Sequence, residues 1–329
     1  MSASIKVGAC LLLGTLLSSP AVAQRKYSDW GPAANLGCGT INSASTEFGP
    51  AISKDGLSLY FSSNRPGSLD TNSDIYVAQR RLTTDDWGTP INLGPTVNST
   101  ALDNNPSFSR DGHFMFFNSG RLGGFGDTDL WASYREHVHD DFAWQTPFNL
   151  GPGVNTSGFD AGASYFENDG GNAPLLFFGH GNSALTQGTT TDIWVSELLP
   201  NGTFGNARKV PELSSSTGDQ RPSIRFDGLE IFFFSSRPGS TPDANGGLTN
   251  DIWVATRNSV DDNWDVPLPL SQPDNVTPKI NSAFADVNPQ ISSDGLTLYF
   301  ASNRPGCGSS GFDIYMSSRT KLKGNGRQD

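Results

Sequence analysis

The apolar residues of this chain fall in short runs that are separated by glycine, aspartate, asparagine and proline. Beyond residue 23 no run repeats with the 3.6-residue period of an amphipathic helix, and aromatic and β-branched residues dominate the runs, as in β-strands. Between residues 106 and 150 the runs predict four strands, A to D, at Pro106–Ser109, His113–Asn118, Asp129–Tyr134 and Trp144–Leu150. Asp111-Gly112, between strands A and B, favours the positive φ angles of a tight hairpin. The pattern therefore predicts antiparallel four-stranded units without helices.

This unit occurs five times along the chain. The aromatic residue that opens strand D recurs at steps of 57, 57, 60 and 60 residues, at Trp30, Trp87, Trp144, Phe204 and Trp264. Tandem four-stranded units bury their faces against each other, and a radial arrangement of them is a β-propeller. We therefore predict an all-β, five-bladed propeller over residues 24–320, with blades at about 48–93, 104–150, 161–210, 220–270, and 287–318 plus 28–37.

The two ends of the chain predict how the ring closes. The chain begins with an isolated strand D at Trp30–Leu36, whereas its last copy stops after strand C at Asp313–Ser317 and is followed by a polar tail, 321–329. The first strand should therefore complete the fifth blade. Cys38 and Cys307 would then lie on the same rim, and we predict a disulfide between them, worth on the order of 4 kcal/mol in the chain-entropy model. Two unrelated free thiols are the alternative.

The first 23 residues have the form of a signal peptide. Lys6 precedes an apolar core at Ala9–Leu17, and Ala21-Val22-Ala23 predicts cleavage before Gln24. Cys10 precedes the apolar stretch instead of following it, which argues against a lipoprotein. No other long apolar run is present, so we expect a mature chain without a membrane span, exported to the periplasm or the extracellular space.

The charge balance restricts the partners. The mature chain would carry 21 basic and 33 acidic residues, and this acidic surface would repel a phosphate backbone. Nucleic acid is therefore not expected as a partner, while cations, neutral glycans and basic protein surfaces remain candidates. We expect a monomer.

The run P-x-F-S-x-D-G, followed by an aromatic strand, S-x-R-x-G and D-I-[YW], resembles the WD40-like repeat called PD40, which is found in TolB-type periplasmic propellers. Residues 105–135 carry it most fully. The resemblance implies a propeller but no single function, because the family includes envelope scaffolds, modules fused to peptidoglycan-binding domains and a few enzymes. The chain departs from TolB in having five copies instead of six, and its third copy has Ala163 for the proline and Asn182 for the arginine.

Three repeated polar groups should gather on one rim. They are an acid before strand A (Glu47, Asp103, Asp160, Asp219 and Asp286), an arginine after strand B (Arg65, Arg121, Arg237 and Arg304), and an aspartate that opens strand C (Asp74, Asp129, Asp192, Asp251 and Asp313). Catalysis by carboxylates needs groups in unlike environments, whereas identical groups serve identical roles. We therefore predict a structural latch in which each arginine binds acids on both sides in bidentate fashion. Calcium binding and catalysis are the alternatives.

The third copy breaks this pattern. Asn182 replaces the arginine, His180 is new, and Asp160 would lack a cation in its own blade. We predict ligand binding there by Asp160, His180 and Asn182, with Glu47 and Asp219 from other blades, and with walls formed by the loops 237–250 and 271–288. A decayed repeat is the alternative.

These features predict a binding or scaffold module for an envelope protein or glycan. The chain has no GxSxG, HExxH, P-loop or Rossmann motif, so we do not expect an enzyme, and no cofactor or metal is expected other than calcium. One alternative is a secreted carbohydrate-active hydrolase with Asp160 and either Glu47 or Asp219 as its acid pair in the central funnel. Another is a structural propeller that calcium stabilises.

Overall fold

A computed structural model of the protein describes residues 26–69, 73–182, 190–205, 207–307 and 311–322. It contains twenty β-strands in five antiparallel sheets of four strands. Within the described residues, the helical structure is limited to a 3-10 turn at Pro211–Leu213, and no helix is long and apolar enough to cross a membrane. The predicted signal peptide and residues 323–329 of the predicted tail lie outside the described residues.

Each sheet is one blade, with strand A innermost and strand D outermost. The first blade contains β2 (Glu47–Ile52), β3 (Ser58–Ser63), β4 (Asp74–Gln79) and β5 (Ile91–Asn92). The second contains β6 (Asp103–Phe108), β7 (Phe114–Ser119), β8 (Asp129–Tyr134) and β9 (Phe148–Asn149). The third contains β10 (Phe159–Phe166), β11 (Leu175–Gly181), β12 (Asp192–Glu197) and β13 (Arg208–Lys209). The fourth contains β14 (Asp219–Ile224), β15 (Glu230–Ser235), β16 (Asp251–Thr256) and β17 (Leu268–Pro269). The fifth contains β18 (Asp286–Ile291), β19 (Thr297–Ser302), β20 (Asp313–Ser318) and β1 (Ala34–Asn35).

The five innermost strands form a closed ring. β2, β6, β10, β14 and β18 each contact the innermost strand of both neighbouring blades, and β18 contacts β2. The buried side chains lie between successive blades; Tyr60 and Val77 of the first blade, for example, pack with Met115 and Trp131 of the second. The predicted five-bladed propeller is therefore the observed fold.

The ring closes in the predicted way. β1 pairs with β20, with Ala34 opposite Met316 and Asn35 opposite Tyr315, and the Leu36 amide donates to the Ile314 carbonyl at 3.0 Å. Cys38 and Cys307 form a disulfide with their Cα atoms 5.1 Å apart. The two ends of the chain thus share one blade, joined by both hydrogen bonds and a covalent bond.

The bounds of strands A and D differ from the prediction. In the second blade strand A begins at Asp103 and not at Pro106, because a bulge lies between Asn104 and Ser107 and Asn105 has a φ of 61°. A residue with positive φ changes the direction of the strand without ending it, so the pairing of strand A with strand B extends to Asp103. Strand D pairs over two residues only, Phe148–Asn149. The acid that was expected to precede strand A is therefore its first residue.

Candidate functional site

The rim acids of four blades bind the arginine of their own blade. Each acid is fully buried, and each arginine follows the last residue of strand B by two positions. The pairs are Arg65–Glu47 at 3.1 Å, Arg121–Asp103 at 2.6 Å, Arg237–Asp219 and Arg304–Asp286.

In the second blade, Arg121 shows how complete these contacts are. The Arg121 Nε donates to Ser119 Oγ at 2.8 Å. The Arg121 Nη2 donates to Asp103 Oδ1 and, at 2.5 Å, to the Val97 carbonyl. The other Asp103 oxygen accepts from the amide and the hydroxyl of Ser99 at 2.5 and 2.7 Å. The Asp103 carboxylate therefore has both oxygens occupied and faces no open space.

The latch differs from the predicted one in a specific way. Among the residues that the structure describes, the arginine of the second, fourth and fifth blades binds the strand A acid alone, through one nitrogen, and not an acid on each side in bidentate fashion. The aspartate that opens strand C has a separate role. Asp129 accepts from the Phe125 amide at 2.6 Å and from Asn149 at 2.8 Å, so it ties the loop between strands B and C to strand D. The corresponding contacts are Asp74 with Leu69 and Asn92, Asp251 with Thr241, Asp313 with Cys307 and Asn35, and Asp192 with Lys209.

In the third blade a histidine, and not an arginine, binds the strand A acid. His180 pairs with Asp160 across strands A and B, and its Nδ1 lies 2.7 Å from Asp160 Oδ1. The amide and hydroxyl of Thr156 donate to Asp160 Oδ2 at 2.6 and 2.9 Å. Asp160 has no arginine in its own blade, as expected, but its carboxylate is not left unlatched: His180 lies at the position that is serine in the other blades, which faces the acid directly.

The His180 side chain is slightly more exposed than the side chains of the latch arginines. Its ring packs edge-on against Trp194 at 4.6 Å, and 18% of its side chain is exposed while Asp160 is fully buried. Asn182, at the arginine position, is exposed. Of the five predicted ligand residues, the structure brings Asp160 and His180 together, whereas Glu47 and Asp219 are held in the latches of their own blades.

The centre of the ring contains an arginine that the sequence analysis missed. The residue two positions after each acid has a positive φ: Gly49 (58°), Asn105 (61°), Gly162 (73°), Arg221 (58°) and Asn288 (53°). The Arg221 side chain reaches over Gly162 toward the first two blades, and its Nη1 lies 3.5 Å from the Asn105 carbonyl. Burial lowers the pKa of Arg221 to about 9. Aligning the five copies on their acids would have shown one arginine among glycines and asparagines.

Two rim carboxyls have altered pKa values. Burial raises the pKa of Asp286, and Arg304 together with the hydroxyls of Ser302 and Ser282 only partly opposes this. Burial also raises the pKa of Asp251, and the charge of Asp286 adds to the increase. A raised carboxyl pKa suits a general acid, but both side chains are fully buried, so neither can reach a ligand in this arrangement.

Within the described part of the chain, no group of three or more acidic, histidine or cysteine side chains converges in a way that would hold a metal ion. Calcium binding stays a prediction, and a lower melting temperature on chelation would support it.

No family model matches the chain, and no curated protein matches it in sequence. Among solved structures, a glycoside hydrolase matches with a TM-score of 0.55 and 13% identity over 92% of this chain and 94% of the other. An α-L-arabinofuranosidase from Lactobacillus brevis matches with a TM-score of 0.53 and 13% identity, over 85% and 92%. The putative TolB from Agrobacterium tumefaciens gives 0.44 at 14% identity, over 85% and 91%, which is too distant to carry an argument. The similarity to the solved structures shows the propeller fold. No family model supports the resemblance of the sequence to the PD40 repeat.

Proposed function

We propose that this protein is an exported glycan-binding propeller whose ligand contacts the rim at the third blade. One observation carries the proposal: Asn182, at the position where the other blades have a latched arginine, is exposed, and His180 beside it is 18% exposed. An imidazole and an amide both exchange hydrogen bonds with hydroxyl groups. Trp194 beside His180 adds an aromatic surface on which a sugar ring can pack.

Two lines support a glycan over the other predicted partner, an envelope protein. The solved structures that match with TM-scores above 0.5 include a glycoside hydrolase and an arabinofuranosidase, and each covers most of both chains. At the third blade, the side chains that reach solvent include the imidazole of His180 and the amide of Asn182, which suits a neutral ligand. The disulfide Cys38–Cys307 supports export, because disulfides persist in oxidising compartments.

Glycoside hydrolysis is the second candidate function, and the same fold likeness favours it. Glycosidases need two carboxyl groups that flank the scissile bond, one of them protonated. The predicted pair, Asp160 with Glu47 or Asp219, consists of fully buried side chains that are held by His180, Arg65 and Arg237. Because no member of this pair faces open space, the geometry supports binding better than hydrolysis.

The test rebuilds the missing latch. The variant His180→Ser/Asn182→Arg restores the serine and arginine of the other blades, so it should fold at least as stably as the wild type. We expect the wild type to bind neutral arabino- or xylo-oligosaccharides in calorimetry and the rebuilt variant to bind them at least tenfold more weakly. Asn172→Arg is the matched control, because it adds the same charge at the opposite end of the same blade and should bind like the wild type.

The same mixtures, analysed for shorter oligosaccharides, separate the two candidates. Binding without cleavage supports the proposal, and cleavage that Asp160→Asn abolishes would establish the hydrolase instead. Absence of binding to any oligosaccharide at millimolar concentration, with no cleavage, would remove both.

A further inference from the structure

Arg221 occupies a backbone conformation that arginine rarely adopts. Its φ of 58° lies in the left-handed region, where glycine and asparagine are favoured. The equivalent positions of the other four blades are glycine or asparagine. A residue other than glycine or asparagine held in this region is strained, and such strain is concentrated at functional sites.

The guanidinium of Arg221 also lacks the partners of the other arginines in the ring. Arg65, Arg121, Arg237 and Arg304 each bind a buried carboxylate. The contact described for the Arg221 side chain is a carbonyl at 3.5 Å, and no carboxylate of the described residues lies within ion-pair distance of it. A desolvated cation without a counter-ion is unfavourable, so this position at the centre of the ring favours the binding of an anion.

The surroundings of Arg221 specify the anion further. A Cβ built on Gly49 would lie 3.0 Å from Arg221 Nη2 and would clash with Asn105 Oδ1, so both atoms converge beside this glycine. Asn105 Oδ1 is buried and accepts no hydrogen bond. Beside Gly49, the Arg221 guanidinium thus lacks a carboxylate partner among the described residues, and Asn105 Oδ1 lacks a donor.

We propose that the centre of the ring binds a carboxylate group that carries a neighbouring hydroxyl, with Arg221 binding the carboxylate and Asn105 accepting from the hydroxyl. A single guanidinium matches a monoanion, and its planar fork fits the two oxygens of a carboxylate. A uronic acid residue of a glycan and a free hydroxy acid share this chemistry. The first source rests on the proposed glycan binding, and the second does not.

The experiment measures ligand-dependent melting temperature and calorimetric binding for the wild type, Arg221→Asn and Arg110→Gln. The ligands are glucuronate, glucose, lactate, acetate, and a uronic-acid oligosaccharide, all at one ionic strength. Arg110 is the matched control, because this arginine already has a carboxylate partner in Asp169. We expect glucuronate or lactate to raise the melting temperature of the wild type and of Arg110→Gln, glucose and acetate to do so less, and Arg221→Asn to bind at least tenfold more weakly.

The variant also tests the structural explanation. If Arg221 serves the ligand, Arg221→Asn relieves strain and an unpaired charge, so without ligand it should melt no lower than the wild type. A response of Arg221→Asn to hydroxy-carboxylates equal to that of the wild type, or no response of the wild type, would overturn the inference. A response to lactate without binding of any oligosaccharide would preserve this inference while removing the proposed glycan function.

Discussion

The arginine after strand B contributes to the blade through an ion pair, through hydrogen bonds and through contacts with aromatic rings. Arg121 binds a carboxylate, a serine and a backbone carbonyl, and its guanidinium lies between Phe117 and Trp131, 5.2 Å from each ring centroid. The equivalent arginines lie between the corresponding ring pairs. Lysine supplies neither the planar fork nor the stacked surface, so these positions require arginine.

Removing one latch arginine should strongly destabilise the fold. Arg121→Met leaves the fully buried Asp103 without its counter-ion, and breaking a buried pair from one side costs about 3 to 5 kcal/mol. Urea unfolding of Arg121→Met should show this loss, and the double variant Asp103→Asn/Arg121→Met should recover part of it. Equal stability of the two variants would mean that the charge of Asp103 is not what the arginine compensates.

At the residue scale, the sequence predicts which acids and arginines recur on the rim, but it does not predict every partner that they bind. The constant spacing of acid and arginine reveals the latch, because both recur in register with the strands. The partner of Asp160 was missed because its substitute, His180, comes from the serine position and not from the arginine position. Arg221 was missed because the bulge that turns its side chain inward is a backbone feature, visible in sequence only as a glycine and asparagine preference.

Among the elements, the hairpin between strands A and B depends on one aspartate. In the second blade Asp111 Oδ1 accepts from Ser109 Oγ at 2.6 Å and from the His113 amide at 3.1 Å, and the Gly112 φ of 80° completes the turn. Asp55 in the first blade makes the same contacts with Ser53 and Leu57. The Asp-Gly signal therefore predicted this turn correctly, because the turn is a local interaction.

These turns should make stability depend on acid pH. Burial tends to raise the pKa of Asp111, but the bonds from Ser109 and His113 outweigh it, so the pKa lies below its ordinary value. A lowered folded-state pKa stabilises the protein above the unfolded pKa of about 3.9, and this contribution is lost as the pH falls through the folded value. Asp111→Asn should therefore lower the melting temperature near neutral pH and reduce its dependence on pH below about 4. Asp86→Asn, at an exposed position, is the control, and parallel curves for the wild type and Asp111→Asn would contradict the expectation.

Across the whole molecule, buried polar networks join blades that the hydrophobic core also joins. Between the first and second blades, Arg135 Nη1 lies 2.9 Å from Asp141 Oδ1, which also accepts from the Tyr60 hydroxyl at 2.6 Å. Between the fourth and fifth blades, Glu230 binds Arg225 and Arg319. Arg135 and Arg319 occupy a repeated position, six residues after the aspartate that opens strand C, as do Arg80 and Arg257. Repetition could not reveal the networks themselves, because it does not show which acid each arginine binds.

Ring closure is the global feature that the sequence predicted best, since five copies with complementary ends permit few other arrangements. The strand that closes the ring pairs over Ala34–Asn35, and further backbone hydrogen bonds join Ser28, Gly31 and Leu36 to Thr320, Ser318 and Ile314. The Cys38–Cys307 disulfide adds the covalent link of this closure. Cys38→Ser/Cys307→Ser removes a cross-link that spans 269 positions of sequence, and we expect a loss of about 2 to 5 kcal/mol in unfolding free energy. Limited proteolysis should then cut first near residues 36–46, because a released β1 exposes this segment before the other blades open.

The single variant Cys307→Ser should behave like the double variant. An unchanged melting temperature and fragment pattern would show instead that inter-blade packing of Trp30 with Phe232 and its neighbours holds the closure without the disulfide.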